Sequence, residues 1–242
     1  MDQVQQSKDF SLLNFWKEPR AVQEVEAPAQ AKITATLRTY LLMWIPMVVV
    51  MGIISLLESS GAISNLDKHA IEQLLHTYPL LLVFLFAGLI QPTLEEVAFR
   101  LFLRPKWADA SLILWVTFMS GIMYQSIPKP YSFVIIGAFA VGLYLYFSDF
   151  RVRRNQLWVK HGNAIFWFSV ISFGLAHMVN FIAVDIPIWA IPLMVLPQLV
   201  AGYFLGFVRL KFGIRYSILF HCLHNSLLLV GYFANEYWLH WF

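Results

Sequence analysis

Long apolar segments, separated by short clusters of charged residues, are the feature that most restricts how this chain can fold. Each segment is about 20 residues long, the length that an α-helix needs to cross a hydrocarbon core of roughly 30 Å. Apolar side chains make up 59% of the 242 residues and charged ones only 13%, about half the charged share of a typical soluble domain. The sequence therefore predicts an all-α, polytopic bundle of transmembrane helices.

Seven segments qualify as membrane spans. Their expected bounds are 38–57, 79–103, 109–127, 131–149, 163–184, 188–208 and 214–234. The intervening stretch 58–78 mixes apolar and polar residues and predicts a loop or a surface helix. The chain then divides into a polar N-terminal tail, residues 1–33, and a transmembrane domain, residues 34–242.

Five apolar residues crowd one short stretch of the tail: Phe10, Leu12, Leu13, Phe15 and Trp16. Lysines flank this stretch on both sides, at Lys8 and Lys17. The pattern fits an interfacial helix lying on the bilayer, and it fits an extended tail equally well. Both interpretations stay open.

The distribution of cations predicts the orientation of the bundle. With seven spans, fifteen of the 17 Lys and Arg residues fall on one side of the membrane and two, Lys68 and Lys129, on the other. The positive-inside rule places the N-terminus in the cytoplasm and the C-terminus outside, in a multi-pass protein of the plasma (inner) membrane. Because the cations lie between apolar segments, the net charge of +3 indicates contact with the lipid bilayer and no nucleic-acid partner. Cys222 is the only cysteine, so no intramolecular disulfide can form.

Polar groups inside three of the spans are candidate site residues, since an ionisable side chain in lipid is costly unless it is paired or functional. The second span contains Glu95, Glu96 and Arg100, the fifth contains His177, and the seventh contains His221, His224 and Asn225. Glu96 and Arg100 are four residues apart on one helix face, which predicts an ion pair. Glu95 lies about 100° away, without an expected partner on its own helix, and so needs one from another helix.

The histidine-bearing spans repeat the same four-residue spacing. Phe173 precedes His177 by one turn, so its ring can pack against the imidazole and orient it. His221 and Asn225 share one face of the last span, and His224 lies off that face as an expected packing residue. Glu95, His177 and His221 can lie at similar depths, which predicts that they meet in a pocket open to the cytoplasm.

This set of side chains fits peptide-bond hydrolysis. A carboxylate in an apolar pocket can take a proton from water while His177 holds that water in line. His221 and the Asn225 amide are donors of the kind that stabilise an oxyanion. Zinc held by Glu and His is the rival chemistry, but the chain has no H-E-x-x-H run and its ligands would come from three spans. We therefore expect no cofactor and no metal.

Three motifs in order on separate spans resemble one protein family. They are Glu-Glu-x-x-x-Arg (Glu95, Glu96, Arg100), Phe-x-x-x-His (Phe173, His177) and His-x-x-x-Asn (His221, Asn225). Together they are similar to the CAAX protease and bacteriocin-processing (CPBP, or Abi) family, which includes the type II CAAX prenyl endopeptidases. The resemblance covers about residues 80–230. It implies an intramembrane endopeptidase, with Glu95 as the base, His177 as its partner in positioning water and His221 with Asn225 as oxyanion donors.

The same resemblance assigns supporting positions to Glu96 and Arg100, leaves the metal question open, and implies a peptide or membrane-protein substrate entering from the bilayer or the cytoplasm. Two other functions are considered. One is a non-catalytic immunity or binding protein, in which the polar cluster only joins helices. The other is an ion-coupled carrier with Glu95 and the histidines as a relay. It ranks last because such carriers often have paired broken helices, whereas the prolines Pro92, Pro192 and Pro197 show no paired pattern.

Overall fold

Helices account for the regular structure of the residues described by the computed structural model, which are 12–63, 74, 77–126, 150–181 and 186–234. The helices are α1 (Leu12–Lys17), α2 (Ala29–Ser59), α3 (Leu80–Leu103), α4 (Ala108–Ser126), α5 (Phe150–Ala176), α6 (Ile191–Phe212) and α7 (Ile214–Ala234). No strand occurs in these ranges. The prediction of an all-α fold is confirmed.

Within the described residues, five helices are long and apolar enough to cross a membrane. They are Ala29–Ser59, Leu80–Leu103, Asn155–Phe181, Ile188–Phe212 and Ile214–Ala234. The expected span 109–127 coincides with α4, which is not among these five, and the expected span 131–149 lies outside the described residues. The count of seven spans and the orientation of the termini therefore stay predictions.

The first span begins earlier than its hydropathy indicates. α2 starts at Ala29, directly after Pro28, and not at 38. Its first turns carry Lys32 and Arg38. Such charges lower the hydropathy of a segment, but the long side chains of Lys and Arg can reach the membrane surface from the end of a span.

The described part of the apolar stretch in the tail, Leu12–Lys17, folds as α1, and its two aromatic rings face different ways. Phe15 is fully buried and packs edge-on against Phe166 of α5 and Phe207 of α6. Trp16 remains largely exposed. Further on, Arg20 N–H donates to Asn163 Oδ1 (3.0 Å) and Val25 N–H to the Lys211 carbonyl (2.8 Å). The tail is thus attached to the middle of α5 and to the end of α6, and its division from the transmembrane domain at residue 33 stays a prediction.

α6 is the central helix, with α5, α2 and α7 packed around it. Its most apolar stretch is 56% buried, against 28–39% in the other four spans. α7 in turn packs against α3. α5 and α7 thus pack along α6, and α3 reaches it at its last turn, Leu101–Leu103, so the helices that carry the three motifs meet at one side of the bundle.

Two glycines one turn apart allow this close packing. A Cβ at Gly202 would lie 3.2 Å from Phe173 Cδ1, and a Cβ at Gly206 would lie 2.6 Å from Phe166 Cε2. Small residues at this spacing let helix backbones approach closely in membranes. At the end of α6, Gly213 adopts φ +103°, a conformation that favours glycine, and the chain turns directly into α7.

We predict that Gly206→Ala destabilises the protein by about 1–3 kcal/mol, because Phe166 is packed between other rings and cannot move away from the added methyl group. Gly231→Ala is the matched control, since a Cβ there meets nothing within 4 Å and alanine favours the helix. Thermal unfolding of the two variants in detergent measures the difference. Equal melting temperatures would contradict the close approach of α5 and α6.

Candidate active site

The predicted ion pair on α3 is present at the centre of the cluster. Arg100 Nη1 lies 3.0 Å from Glu96 Oε1, and both side chains are 0% exposed. Glu96 also joins α3 to α7, because the Ser217 hydroxyl donates to its Oε2 and His221 Nδ1 lies 3.0 Å from its Oε1. The carboxylate thus contacts a cation, a hydroxyl and an imidazole.

Phe173 covers the other partner of this pair. The Arg100 guanidinium carbon lies 3.7 Å from the centroid of the Phe173 ring, a cation–π contact in a site without water-exposed surface. The same ring meets the imidazoles of His177 (4.5 Å between centroids) and His221 (5.7 Å). Its expected contact with His177 is confirmed, whereas its contact with Arg100 was not expected. One aromatic side chain therefore touches groups from all three motifs.

Glu95 is 2% exposed and faces away from the ion pair, as the 100° rotation predicts. The expectation that it lacks a partner on its own helix is wrong. Gln91 lies one turn earlier on the same face and donates from Nε2 to Glu95 Oε1 at 2.8 Å. The other oxygen, Oε2, has no hydrogen-bond partner among the described residues.

Two imidazoles from separate helices face this second oxygen. Glu95 Oε2 lies 3.6 Å from His221 Nε2 and 3.8 Å from His177 Nε2. The expected convergence of Glu95, His177 and His221 is confirmed. The separations exceed a direct hydrogen bond and are short enough for one water molecule to contact all three atoms.

The remaining ring nitrogens determine which atoms of the two histidines carry protons. His177 Nδ1 lies 2.8 Å from the Phe173 carbonyl, which can only accept, so Nδ1 must donate. This partner on its own helix was not expected. It exists because Phe173 is in the last turn of α5, where carbonyls lack helical partners. With Nδ1 protonated, the Nε2 of neutral His177 is an acceptor.

His221 follows the same logic. Its Nδ1 faces the Glu96 carboxylate and must donate to it, so Nε2 is an acceptor in the neutral ring and a donor only in the imidazolium. Three acceptors therefore meet when Glu95 is ionised and both rings are neutral. Such a site requires a hydrogen-bond donor between the three acceptors, either a water molecule with two O–H groups or a proton shared within the cluster.

The remaining motif residue, Asn225 of α7, contacts an earlier part of α3 than the ion pair does. Its Nδ2 donates to the Ala87 carbonyl at 3.0 Å, within the π-helical stretch Phe84–Ile90. An amide nitrogen carries two N–H groups, so one remains available to a ligand. His224 packs against the rings of Tyr40 and Trp44 of α2, in agreement with its expected packing role.

Three contacting residues were missed at the sequence level. Gln91 and Ser217 each lie four residues before a motif residue, Glu95 and His221, so helical spacing was the available signal. Arg209 is buried and donates from Nε to the Arg100 carbonyl at 3.1 Å. It gave no such signal, because only the packing of α6 against α3 brings the two residues together.

Zinc is the rival chemistry for the same side chains. In the part of the chain that the structure describes, no group of three His, Cys, Asp or Glu residues has an arrangement that could hold a metal ion. The expectation that the protein needs no metal stays a prediction.

Comparison with known families identifies one match. The family described as type II CAAX prenyl endopeptidase Rce1-like matches residues 150–227, about a third of the chain, which contain the second and third motifs but not Glu95. Comparisons with curated proteins and with solved structures returned no match. Five membrane-length apolar helices among the described residues indicate an integral membrane protein, and its residues 150–227 match the family that its three motifs resemble.

Proposed function

We propose that this protein is a membrane-embedded endopeptidase in which Glu95 activates water for attack on a peptide bond. One observation carries the proposal. Glu95 Oε2 is buried, has no hydrogen-bond partner among the described residues, and faces Nε2 atoms of two histidines from two other helices at 3.6 and 3.8 Å. A cluster that only joined helices would be expected to satisfy this oxygen, which disfavours the non-catalytic binding protein.

The first step is the attack of water. Glu95 Oε2 accepts one proton of the water molecule, and the acceptor Nε2 of His177 accepts a hydrogen bond from the other O–H group. This arrangement leaves a lone pair of the water oxygen directed at the carbonyl carbon of the substrate. The new C–O bond forms as the carbonyl π electrons move onto oxygen.

The oxyanion needs donors at this point. Protonated His221 donates a hydrogen bond from Nε2 to the oxyanion, while its Nδ1–H continues to donate to Glu96. With this imidazolium, the buried cluster has two carboxylates, Glu95 and Glu96, and two cations, Arg100 and His221. Its charges therefore balance, which a buried site requires. The free N–H of Asn225 is the second proposed donor.

Collapse of the tetrahedral intermediate completes the reaction. The C–N bond breaks, and Glu95 returns its proton to the leaving amine. The immediate products are a carboxylic acid, which keeps the second proton of the water molecule, and a neutral amine. Transfer of that proton from the acid to the amine gives a carboxylate and an ammonium terminus, and Glu95 is again ionised. Every proton in this scheme moves between water, Glu95 and the substrate, so no step requires a metal.

The family description provides the substrate class to test, a prenylated C-terminal CAAX peptide, at the cytoplasmic side of the plasma (inner) membrane. We propose cleavage by the full chain in lipid nanodiscs, measured with a fluorogenic farnesylated CAAX peptide and its unprenylated counterpart. Cleavage of either peptide supports the endopeptidase. Cleavage of neither would overturn it.

We predict that Glu95→Gln lowers kcat by at least about 10²-fold while melting like the wild type, because the amide keeps the shape of the side chain but cannot accept the proton. Glu96→Gln is the matched variant at the adjacent position. It is expected to destabilise the protein by roughly 3–5 kcal/mol, because it leaves the buried Arg100 cation without a charged partner. Kinetics and thermal unfolding are measured on both. Equal losses of activity at normal stability in both would contradict this division of roles.

We also predict that the active protein contains no stoichiometric zinc. Elemental analysis of active protein, before and after dialysis against a chelator, measures this directly. Zinc whose removal abolishes cleavage and whose return restores it would overturn Glu95 as the sole activator of water.

A further inference from the structure

The Gln91 side chain contacts the carboxylate proposed above as the base. Its Nε2 donates to Glu95 Oε1 at 2.8 Å from one helical turn away. Gln91 is partly buried and Glu95 is almost completely so, which reduces competition from bulk water for this bond. One oxygen of the carboxylate is therefore occupied before any substrate binds.

The two oxygens of Glu95 consequently have different surroundings. Oε1 accepts a hydrogen bond from the Gln91 amide, whereas Oε2 faces His177 and His221. Rotation about the last side-chain torsion of glutamate is broad and roughly two-fold, so an unheld carboxylate would turn away from the line between the imidazoles. The hydrogen bond from Gln91 opposes that rotation.

We infer that Gln91 is a positioning residue for the reaction: by occupying Oε1, it makes Oε2 the oxygen that accepts the proton of water. The inference rests on the proposed function and adds to it a residue outside the three motifs. Gln91 acts through Glu95 and needs no contact with the reacting atoms. Supporting residues that fix a catalytic side chain by a hydrogen bond commonly contribute about 10-fold or more to activity.

The charged and titratable groups that face Glu95 come from three helices. His177, directly after α5, and His221 on α7 face its Oε2, and the ion pair of Glu96 and Arg100 on α3 lies nearby. A neutral substitution at Gln91 changes none of them. It removes only a donor to the ionised carboxylate, and loss of such a donor disfavours the ionised form.

Gln91→Met tests the inference in the full chain in nanodiscs, with the same fluorogenic peptide. The expected result is a fall in kcat of about 10-fold with KM within about two-fold. The acidic limb of the kcat/KM profile is expected at higher pH than in the wild type. Gln198→Met is the matched control. In the orientation that satisfies its amide, Gln198 donates to the Met194 carbonyl of its own helix (3.1 Å), so wild-type kinetics are expected.

Gln91→Glu keeps the inference testable if Gln91→Met does not fold. It places a second carboxyl group against Glu95, and the two can be joined by a hydrogen bond only when they share a proton. Activity is therefore expected to be low at high pH and to increase as the pH falls, the opposite of Gln91→Met.

Three results would overturn the inference: wild-type kcat in Gln91→Met, an equal loss in Gln198→Met, or pH profiles that match the wild type in both Gln91 variants. The proposed function fails in a different way. It fails if the wild type cleaves neither peptide, or if Glu95→Gln cleaves as fast as the wild type.

Discussion

The buried ion pair of Glu96 and Arg100 is the interaction on which the rest of the site depends. Neither charge is exposed, so each must be compensated within the protein. Glu96 is compensated by Arg100, by the Ser217 hydroxyl and by His221. Arg100 is covered by Phe173. These partners lie on α5 and α7. Both helices therefore pack against α3 in one register, in which their side chains reach Glu96 and Arg100.

The adjacency of Glu95 and Glu96 explains how one helix serves two purposes. Successive residues point about 100° apart, so the second carboxylate faces the pair with Arg100 while the first faces the gap between the imidazoles. His221 connects the two. Its Nδ1 contacts Glu96 and its Nε2 faces Glu95. The structural carboxylate thereby orients the ring that the proposed mechanism uses as a donor.

The sequence predicts the contacts that lie within single helices better than those between helices. The Glu96–Arg100 pair and the packing of Phe173 on His177 follow from four-residue spacing, and the same spacing could have indicated Gln91. The cation–π contact of Phe173 with Arg100 could not be predicted, because it depends on how closely α5 and α6 approach at Gly202. The contact of Asn225 with Ala87 depends on the π-helical stretch of α3, for which the residue pattern gave no signal.

The direction of the hydrogen bonds favours the proposed catalytic cluster over one that only joins helices. Other buried polar atoms also lack hydrogen bonds among the described residues, including Tyr40 Oη and His224 Nδ1, so the lack of a partner at Glu95 Oε2 is not sufficient by itself. The difference lies in its neighbours. The Phe173 carbonyl accepts a hydrogen bond from Nδ1–H of His177, and the Glu96 carboxylate accepts one from Nδ1–H of His221. Each neutral ring is then left with an acceptor nitrogen toward Glu95. Three acceptors repel one another unless a donor lies between them. That donor is either a water molecule, which peptide hydrolysis consumes, or the Nε2 proton that makes His221 the imidazolium of the proposed mechanism.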